Sequence, residues 1–225
     1  MEKVEVKFGE WIEEGFNLYK ANFGPLVLAS LLAILLGSVS FGILTGPMMA
    51  GLVLVTLEIL DKKQPQPSGG EVFRGFDYFL NSFLFFLVWG LIIGFAIAIL
   101  TLVLCIGLVL AAPIIYVAQT FLMFGLFLIV DRKMDFWPAS IESIDTVKNN
   151  FWPLLGLSVV AALIGGIGGI ACGIGIIFTF PIQICILAVA YRKVYNGIRA
   201  SGSPGQPPPI PPAETPTPGQ PKHPQ

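Results

Sequence analysis

The chain has 225 residues, of which 55% are hydrophobic and 12% are charged, and its net charge is −1 at neutral pH. Ordinary soluble domains carry roughly a quarter charged residues, so this composition excludes a soluble globular protein. The small net charge says little about partners, and the positions of the charged residues carry more information than their sum.

Three long apolar blocks dominate the sequence. They cover residues 24–60, 79–130 and 151–190, and Glu58 is the one charged residue within them. A helix that spans a bilayer needs about 20 apolar residues, so each block is long enough for two spans and too long for one. The sequence therefore predicts an all-α membrane protein with six transmembrane helices. The charged, amphipathic N-terminal segment lacks the pattern of a cleaved signal peptide.

The basic residues lie on one side of this predicted topology. None of the 13 lysines and arginines falls in the three predicted hairpin turns, which cover residues 37–42, 105–107 and 165–175. All lie in the N-terminal segment, in the two loops between the blocks, or from Arg192 onward. Lysine and arginine near span ends resist translocation. This side is therefore predicted to be cytoplasmic, together with both termini.

Two sequence matches indicate an internal repeat. Residues 20–26 read KANFGPL and residues 148–154 read KNNFWPL, which agree at five of seven positions with an offset of 128. At an offset of 60, Gly15 and its following phenylalanine match Gly75 and its following phenylalanine. Such self-similarity is typical of repeat architectures. We predict a membrane domain over residues 1–198, with tandem repeats at about 8–63, 68–133 and 137–195.

Each predicted repeat is an amphipathic helix on the cytoplasmic surface followed by a transmembrane hairpin. Apolar residues recur at helical spacing in the first copy: Phe8, Trp11, Ile12, Phe16, Tyr19 and Phe23. In the second copy, Ser68 and Glu71 have the spacing of a capping box. The apolar stripe that follows consists of Val72, Phe73, Phe76, Phe79 and Leu80. Two spans per copy make the repeats parallel, and a pseudo-threefold bundle is the simplest packing.

A proline follows the turn in each predicted hairpin. Pro47, Pro113 and Pro181 lie five or six residues after a turn glycine, and the first hairpin is predicted to be the shortest. A proline inside a helix removes one hydrogen bond and displaces the carbonyl four residues earlier. The three kinks are therefore candidates for hinges or for a shared cavity. The alternative is that neighbouring groups satisfy the freed carbonyls, as in ordinary membrane spans.

Three further polar residues of the predicted spans are candidates for the same hinge or cavity. Glu58 is a functional candidate because carboxylates are costly in a membrane. Its alternative role is an interfacial anchor, paired with Lys62 four residues later. Gln119, with Thr120 beside it, and Gln183 are candidates for contact with a substrate. Interhelical hydrogen bonding is the alternative for both glutamines.

The sequence offers no catalytic or metal-binding constellation. The single histidine, His223, lies near the C-terminus, and the cysteines match no zinc spacing. We predict a non-enzymatic protein without cofactor or metal. The cysteines are interpreted as packing residues, with a disulfide between Cys105 and Cys172 as the alternative. Residues 199–225 are rich in proline and predict a disordered cytoplasmic tail.

The pattern resembles a widespread group of uncharacterised prokaryotic integral membrane proteins. It is similar to the multi-span domain fused to some bacterial glycerophosphodiester phosphodiesterases. The features that carry the resemblance are Trp11 with Gly15-Phe16, the Lys20-x-Asn-Phe run and its copy at Lys148, Gly46-Pro47-x3-Gly51, and Ala190-Tyr-Arg-Lys193. It implies a bacterial or archaeal inner membrane. The phosphodiesterase domain has no counterpart in this sequence, so its activity does not carry over.

Two functions are compatible with these features. The leading hypothesis is a non-enzymatic scaffold or regulatory membrane protein, because the predicted spans lack charged and catalytic groups. The alternative is a small transporter or channel for an apolar or lipid-like solute, because three comparable kinks occur in parallel repeats. The expected partners are the lipid bilayer and, beyond it, other membrane proteins or lipids. No nucleic-acid partner is expected.

Overall fold

The computed structural model describes residues 6–104, 107–170 and 175–201, and the described residues form helices without any β-strand. In chain order, the elements are α1 (Phe8–Ala21), α2 (Phe23–Val39), α3 (Thr45–Leu60), a 3₁₀ helix (Gly69–Tyr78), α4 (Phe79–Leu104), α5 (Gly107–Leu122), α6 (Gly125–Arg132), α7 (Phe136–Asn149), α8 (Phe151–Ile170) and α9 (Ile176–Ser201). The first three residues of the predicted tail, 199–201, belong to α9, whereas the rest of the tail and the turn cysteines Cys105 and Cys172 lie outside the described residues.

Several helices are long and apolar enough to cross a membrane. Within the described residues, four segments qualify, at 69–102, 111–132, 151–169 and 176–197. Helices α1 and α2 make a fifth only as a pair bent by 92°. The apolar helix α3 is shorter, with 16 residues. The prediction of an all-α membrane protein is confirmed, with four or five candidate spans by length and composition.

An asparagine separates each long surface helix from the apolar helix that follows. Asn22, between α1 and α2, has φ −129° and ψ 36°, and Asn150, between α7 and α8, has φ −133° and ψ 37°. The Asn22 side chain also donates to the Leu18 carbonyl at 3.0 Å. The prolines of the repeated motif, Pro25 and Pro153, lie in the first turn of α2 and α8. A proline there removes no intrahelical hydrogen bond, because the first N–H groups of a helix have no partner within it. The repeated motif therefore encodes a helix break.

The second surface segment differs from the prediction. Residues 69–78 form a 3₁₀ helix that passes directly into α4, rather than a separate α-helix. In a 3₁₀ helix, residues three apart lie above one another, and Gly69, Val72 and Gly75 form one such buried line. Of the predicted apolar stripe, Val72 is buried in the protein, whereas Phe73, Phe76 and Leu80 are exposed on its surface. The capping box is confirmed, since the Ser68 N–H donates to Glu71 Oε1 at 3.1 Å.

Each surface segment packs on a helix from another part of the chain. A Cβ added to Gly15 of α1 would lie 2.8 Å from Ile186 Cα in α9. A Cβ added to Gly75 of the 3₁₀ helix would lie 2.7 Å from Gly51 Cα in α3. In α7, the Ser143 hydroxyl donates to the Phe121 carbonyl at 2.8 Å, where α5 breaks before α6. The surface segments therefore pack closely on helices that return across the bundle.

Two predictions about the hairpins are wrong. Pro47 is the third residue of α3. The first four N–H groups of a helix have no partner within the helix, so a proline at this position breaks no hydrogen bond and produces no kink. The glycines at 165–169 belong to α8, which continues to Ile170, rather than to a turn. Pro113 and Pro181 do lie inside helices, α5 and α9.

The core lies among the returning helices. Nearly all of α3 from Gly46, all of α6 up to Val130 and most of α9 from Pro181 are buried. The largest fully buried side chains include Tyr191, Phe124, Met48, Leu52 and Ile129. Helix α4 contrasts with them, because its large apolar side chains are mostly exposed, among them Leu91, Phe95 and Leu102. Its composition suits contact with lipid rather than with protein.

Candidate functional site

A cavity of about 340 Å³ lies between the three hairpins. Its walls come from α3, α4, α5, α6, α8 and α9, and its lining is mainly apolar and aromatic. The lining residues include Met49, Val53, Phe85, Trp89, Ile115, Leu122, Phe127, Phe180 and Leu187. Ligand cavities in proteins have volumes of roughly 300–1,000 Å³ and show this mainly apolar lining with a few polar groups. The cavity therefore has the size and composition of a site for a small apolar ligand.

The polar groups of the cavity are the two glutamines that the sequence singled out. Gln119 of α5 and Gln183 of α9 both line it, together with Ser158 of α8. Ser158 is already engaged, because Thr120 lies 3.2 Å from its hydroxyl. Within the described part of the chain, neither glutamine carboxamide forms a hydrogen bond or ion pair. Both glutamines therefore line one cavity, Gln119 as an exposed side chain and Gln183 as a half-buried one, and both carboxamides are free to contact a ligand.

Gln183 is positioned by a glycine on the neighbouring helix. A Cβ added to Gly165 of α8 would lie 3.0 Å from the Gln183 Cβ and closer to its carboxamide oxygen. The glycine stretch of α8 therefore lets α9 approach and leaves room for the Gln183 side chain. This is the close helix approach that small residues permit in membrane proteins.

The prolines do not share this site. Of the residues that line the central cavity, none is Pro47, Pro113 or Pro181. Pro47 and Pro181 are buried in helix packing. Pro113 instead lines a separate groove of about 610 Å³ between α4, α5 and α7. The three prolines therefore lie in different surroundings and not around the central cavity, and the hinge role of Pro113 and Pro181 stays a prediction.

Glu58 is held by ion pairs on the charged side of the bundle. Its side chain is 7% exposed and lies 2.9 Å from both Lys63 Nζ and Arg74 Nη1. The predicted partner, Lys62, is wrong. Lys62 takes a left-handed conformation with φ 54° and closes α3, its N–H donating to the Ile59 carbonyl. This directs the following Lys63 towards Glu58. The anchoring role of Glu58 fits these contacts.

One charged cluster joins the ends of three returning helices. Arg192 of α9 binds Asp61, at the end of α3, with an Nη2–Oδ2 distance of 2.6 Å. It also binds Asp131 of α6, with an Nη1–Oδ2 distance of 2.8 Å. Its remaining contacts are Nε to Asp61 Oδ1 at 3.1 Å and Nη2 to Asp131 Oδ1 at 2.9 Å. We call these three residues the Arg192 clamp.

Aromatic side chains fill the space between the cavity and the clamp. Phe127, which lines the cavity, stacks on Tyr191 with ring centres 5.3 Å apart. The Tyr191 hydroxyl donates to Asp131 Oδ2 at 2.8 Å. Tyr195 and Phe124 complete the layer, with Tyr195 4.8 Å from Tyr191 and Phe124 5.8 Å from Tyr195. The cavity is therefore closed towards the charged side of the bundle.

Sequence reasoning missed the clamp as a unit. The charged residues at the ends of the returning helices are visible in the sequence, as Asp61-Lys-Lys, Asp131-Arg-Lys and Tyr191-Arg-Lys. What the sequence lacks is their mutual distance, which depends on how the helices close into a bundle. The opposite charges that follow the three apolar blocks, at Asp61, Asp131 and Arg192, were the available signal.

Comparisons of the chain with models of known protein families, with curated proteins and with solved structures found no match. The resemblance drawn from the sequence stays a prediction.

Proposed function

We propose that the chain is a six-span protein of three repeated units around a pseudo-threefold axis. The observation that supports it is the placing of Gly15, Gly75 and Ser143. Gly75 and Ser143 follow Gly15 by 60 and 128 residues, which are the two offsets at which the sequence matches itself. Each packs on the returning helix of the preceding unit in cyclic order: α9, α3 and the α5–α6 break. A ring of this kind closes the bundle, and the Arg192 clamp joins its three units.

We propose further that the charged side is cytoplasmic, in the inner membrane of a prokaryote. In a variant whose cysteines are replaced by alanine, Phe41→Cys should react with an impermeant thiol reagent added to intact cells. Phe41 is 98% exposed at the tip of the α2–α3 hairpin. Glu13→Cys, on the exposed face of α1, should react only after the cells are opened. If only Glu13→Cys reacts in intact cells, the topology is the reverse of the one proposed. If neither cysteine reacts in intact cells, the first hairpin does not reach the outer surface of the membrane.

We infer that the function is the binding of a small lipid-like solute in the central cavity, without catalysis. The observation that carries it is the pair of unengaged carboxamides in an apolar cavity closed on one side. The solute is of the class that the sequence suggested for a small transporter or channel. The closed aromatic layer supports binding or one step of transport rather than an open channel.

Filling the cavity should remove the bound solute. Gly90 lines the cavity from α4, and a Cβ there has nothing within 4 Å. Gly94, one turn on, is equally open and does not line the cavity. Gly90→Leu should lower the amount of co-purifying lipid-like solute, measured by native mass spectrometry, at least about fivefold, because leucine occupies the space. Gly94→Leu should leave it unchanged. Equal occupancy in wild type and both variants would exclude the cavity as the site.

The scaffold or regulatory role is the second candidate. The observation that favours it is the Arg192 clamp with its aromatic layer, which ties α3, α6 and α9 together beside the cavity. If wild-type protein in nanodiscs retains no solute while a partner protein co-purifies at fixed ratio, this role replaces solute binding.

A further inference from the structure

The chemical class of the solute follows from the polar groups that face it. Gln119 and Gln183 stand in a cavity whose other lining groups are apolar, apart from the engaged Ser158. A carboxamide offers two N–H donors and one carbonyl acceptor. An unpaired polar group in a medium without water costs free energy comparable to a lost hydrogen bond or more. A pure hydrocarbon would leave both carboxamides unpaired, whereas a solute with a donor and an acceptor would satisfy them.

Charge restricts the solute further. No lining residue of the central cavity is acidic or basic. The nearest charges on the same helix belong to the Arg192 clamp, which lies nine residues, or roughly 13 Å, beyond Gln183 at 1.5 Å per residue. The aromatic layer of Phe127 and Tyr191 lies between them. An ion in the cavity would therefore be desolvated without a counter-charge, which is far more costly than burying a neutral polar group.

We propose that the cavity selects an uncharged amphiphile whose head group both donates and accepts hydrogen bonds, held by Gln119 and Gln183 with its apolar chain among the aromatic residues. Primary amides, alcohols and protonated acids of apolar chains have this chemistry. The inference rests on the proposed solute-binding function and specifies which solutes the same cavity takes.

Four probes with the same chain separate the classes: dodecanamide, dodecane, dodecanoate and dodecylammonium. Binding is measured with wild-type protein in nanodiscs by native mass spectrometry and by the ligand-induced shift of the unfolding midpoint. Dodecanamide should bind at least about tenfold more tightly than dodecane, as expected for one or two hydrogen bonds of ordinary strength. Both ionic probes, at a pH where each is charged, should bind more weakly than dodecanamide.

The double variant Gln119→Leu, Gln183→Leu supplies the decisive comparison. Leucine keeps the site apolar, so dodecane should bind as it does to wild type, which also shows that the cavity is intact. The affinity for dodecanamide should fall about tenfold, to the level of dodecane. If no probe binds wild type, the solute-binding function itself is wrong. If the probes bind and the double variant keeps its preference for dodecanamide, or wild type prefers an ionic probe, only the assignment of the solute class is overturned.

Discussion

Gly75→Ala should destabilise the protein by about 3 kcal/mol or more, since overpacking usually costs 1–3 kcal/mol and here the obstacle is backbone. An added Cβ would lie 2.7 Å from Gly51 Cα and overlap the Pro47 carbonyl oxygen. A flexible side chain could move aside, but two helix backbones can only separate. Gly51→Ala should be similarly destabilising, because its Cβ would lie 2.6 Å from the Val72 carbonyl carbon.

The same 3₁₀ helix supplies a matched control. A Cβ on Gly70 would have its nearest neighbour, Ser68 Oγ, at 3.7 Å, which is ordinary contact. Gly70→Ala should therefore change stability by less than about 1 kcal/mol. For a chain of this size, 3 kcal/mol corresponds to roughly 6–12 °C in the unfolding midpoint. The midpoints are measured by fluorescence-detected thermal unfolding in one detergent. Equal midpoints for Gly75→Ala and Gly70→Ala would mean that the 3₁₀ helix does not pack on α3 as described.

Hydropathy predicted which segments are helical and apolar, and it predicted little about how they touch. Lipid is as apolar as leucine, so helices in a membrane are selected by close packing rather than by burial of an apolar face. The exposed side chains of α4 and the buried ones of α6 therefore look alike in sequence. Glycines in the sequence indicate where helices approach closely, but they do not indicate which helix is the neighbour. Gly51 and Gly75, which meet in the structure, are 24 residues apart in the sequence.

The amphipathic segments show a second limit. Helical spacing placed the apolar residues of α1 in one stripe, and the structure divides them: Trp11 and Tyr19 are buried in the protein, whereas Phe8, Phe16 and Phe23 are exposed. A surface helix has two apolar faces when it packs on protein and also meets lipid. Helical periodicity alone does not show which residues of the stripe contact protein and which contact lipid.

The candidate site was predictable by residue type and not by arrangement. Gln119 and Gln183 stood out because polar side chains are rare in apolar spans. The prolines stood out as well, but a proline in the first helical turn, as at Pro47, costs nothing and marks no site. Only the packing of α5 against α8, and of α8 against α9, places both glutamines at one cavity.

Arg192→Ala should destabilise the protein by about 1–3 kcal/mol, between the values for exposed and buried ion pairs. The Arg192, Asp61 and Asp131 side chains are 24%, 43% and 22% exposed, so solvent screens the clamp only in part. The substitution removes four hydrogen bonds and leaves two carboxylates facing each other. Arg192→Lys should restore little of the loss, because an ammonium cannot bind two carboxylates with a planar fork.

Lys193→Ala is the matched control, one residue further along α9. Its pair with Glu14, at 2.8 Å, has both side chains 46% exposed, so the expected loss is below about 1 kcal/mol. Asp61→Asn with Asp131→Asn, added to Arg192→Ala, should recover part of the stability by removing the uncompensated charge.

A double-mutant cycle on thermal midpoints separates these contributions. The clamp links α9 to α3 and α6, so its loss should also separate these helices. In a variant without native cysteines, a disulfide placed across these helix ends should then form more slowly in Arg192→Ala than in Lys193→Ala. Equal stability and equal disulfide rates in the two variants would show that helix packing alone holds α9 against α3 and α6, and that the clamp contributes nothing to stability.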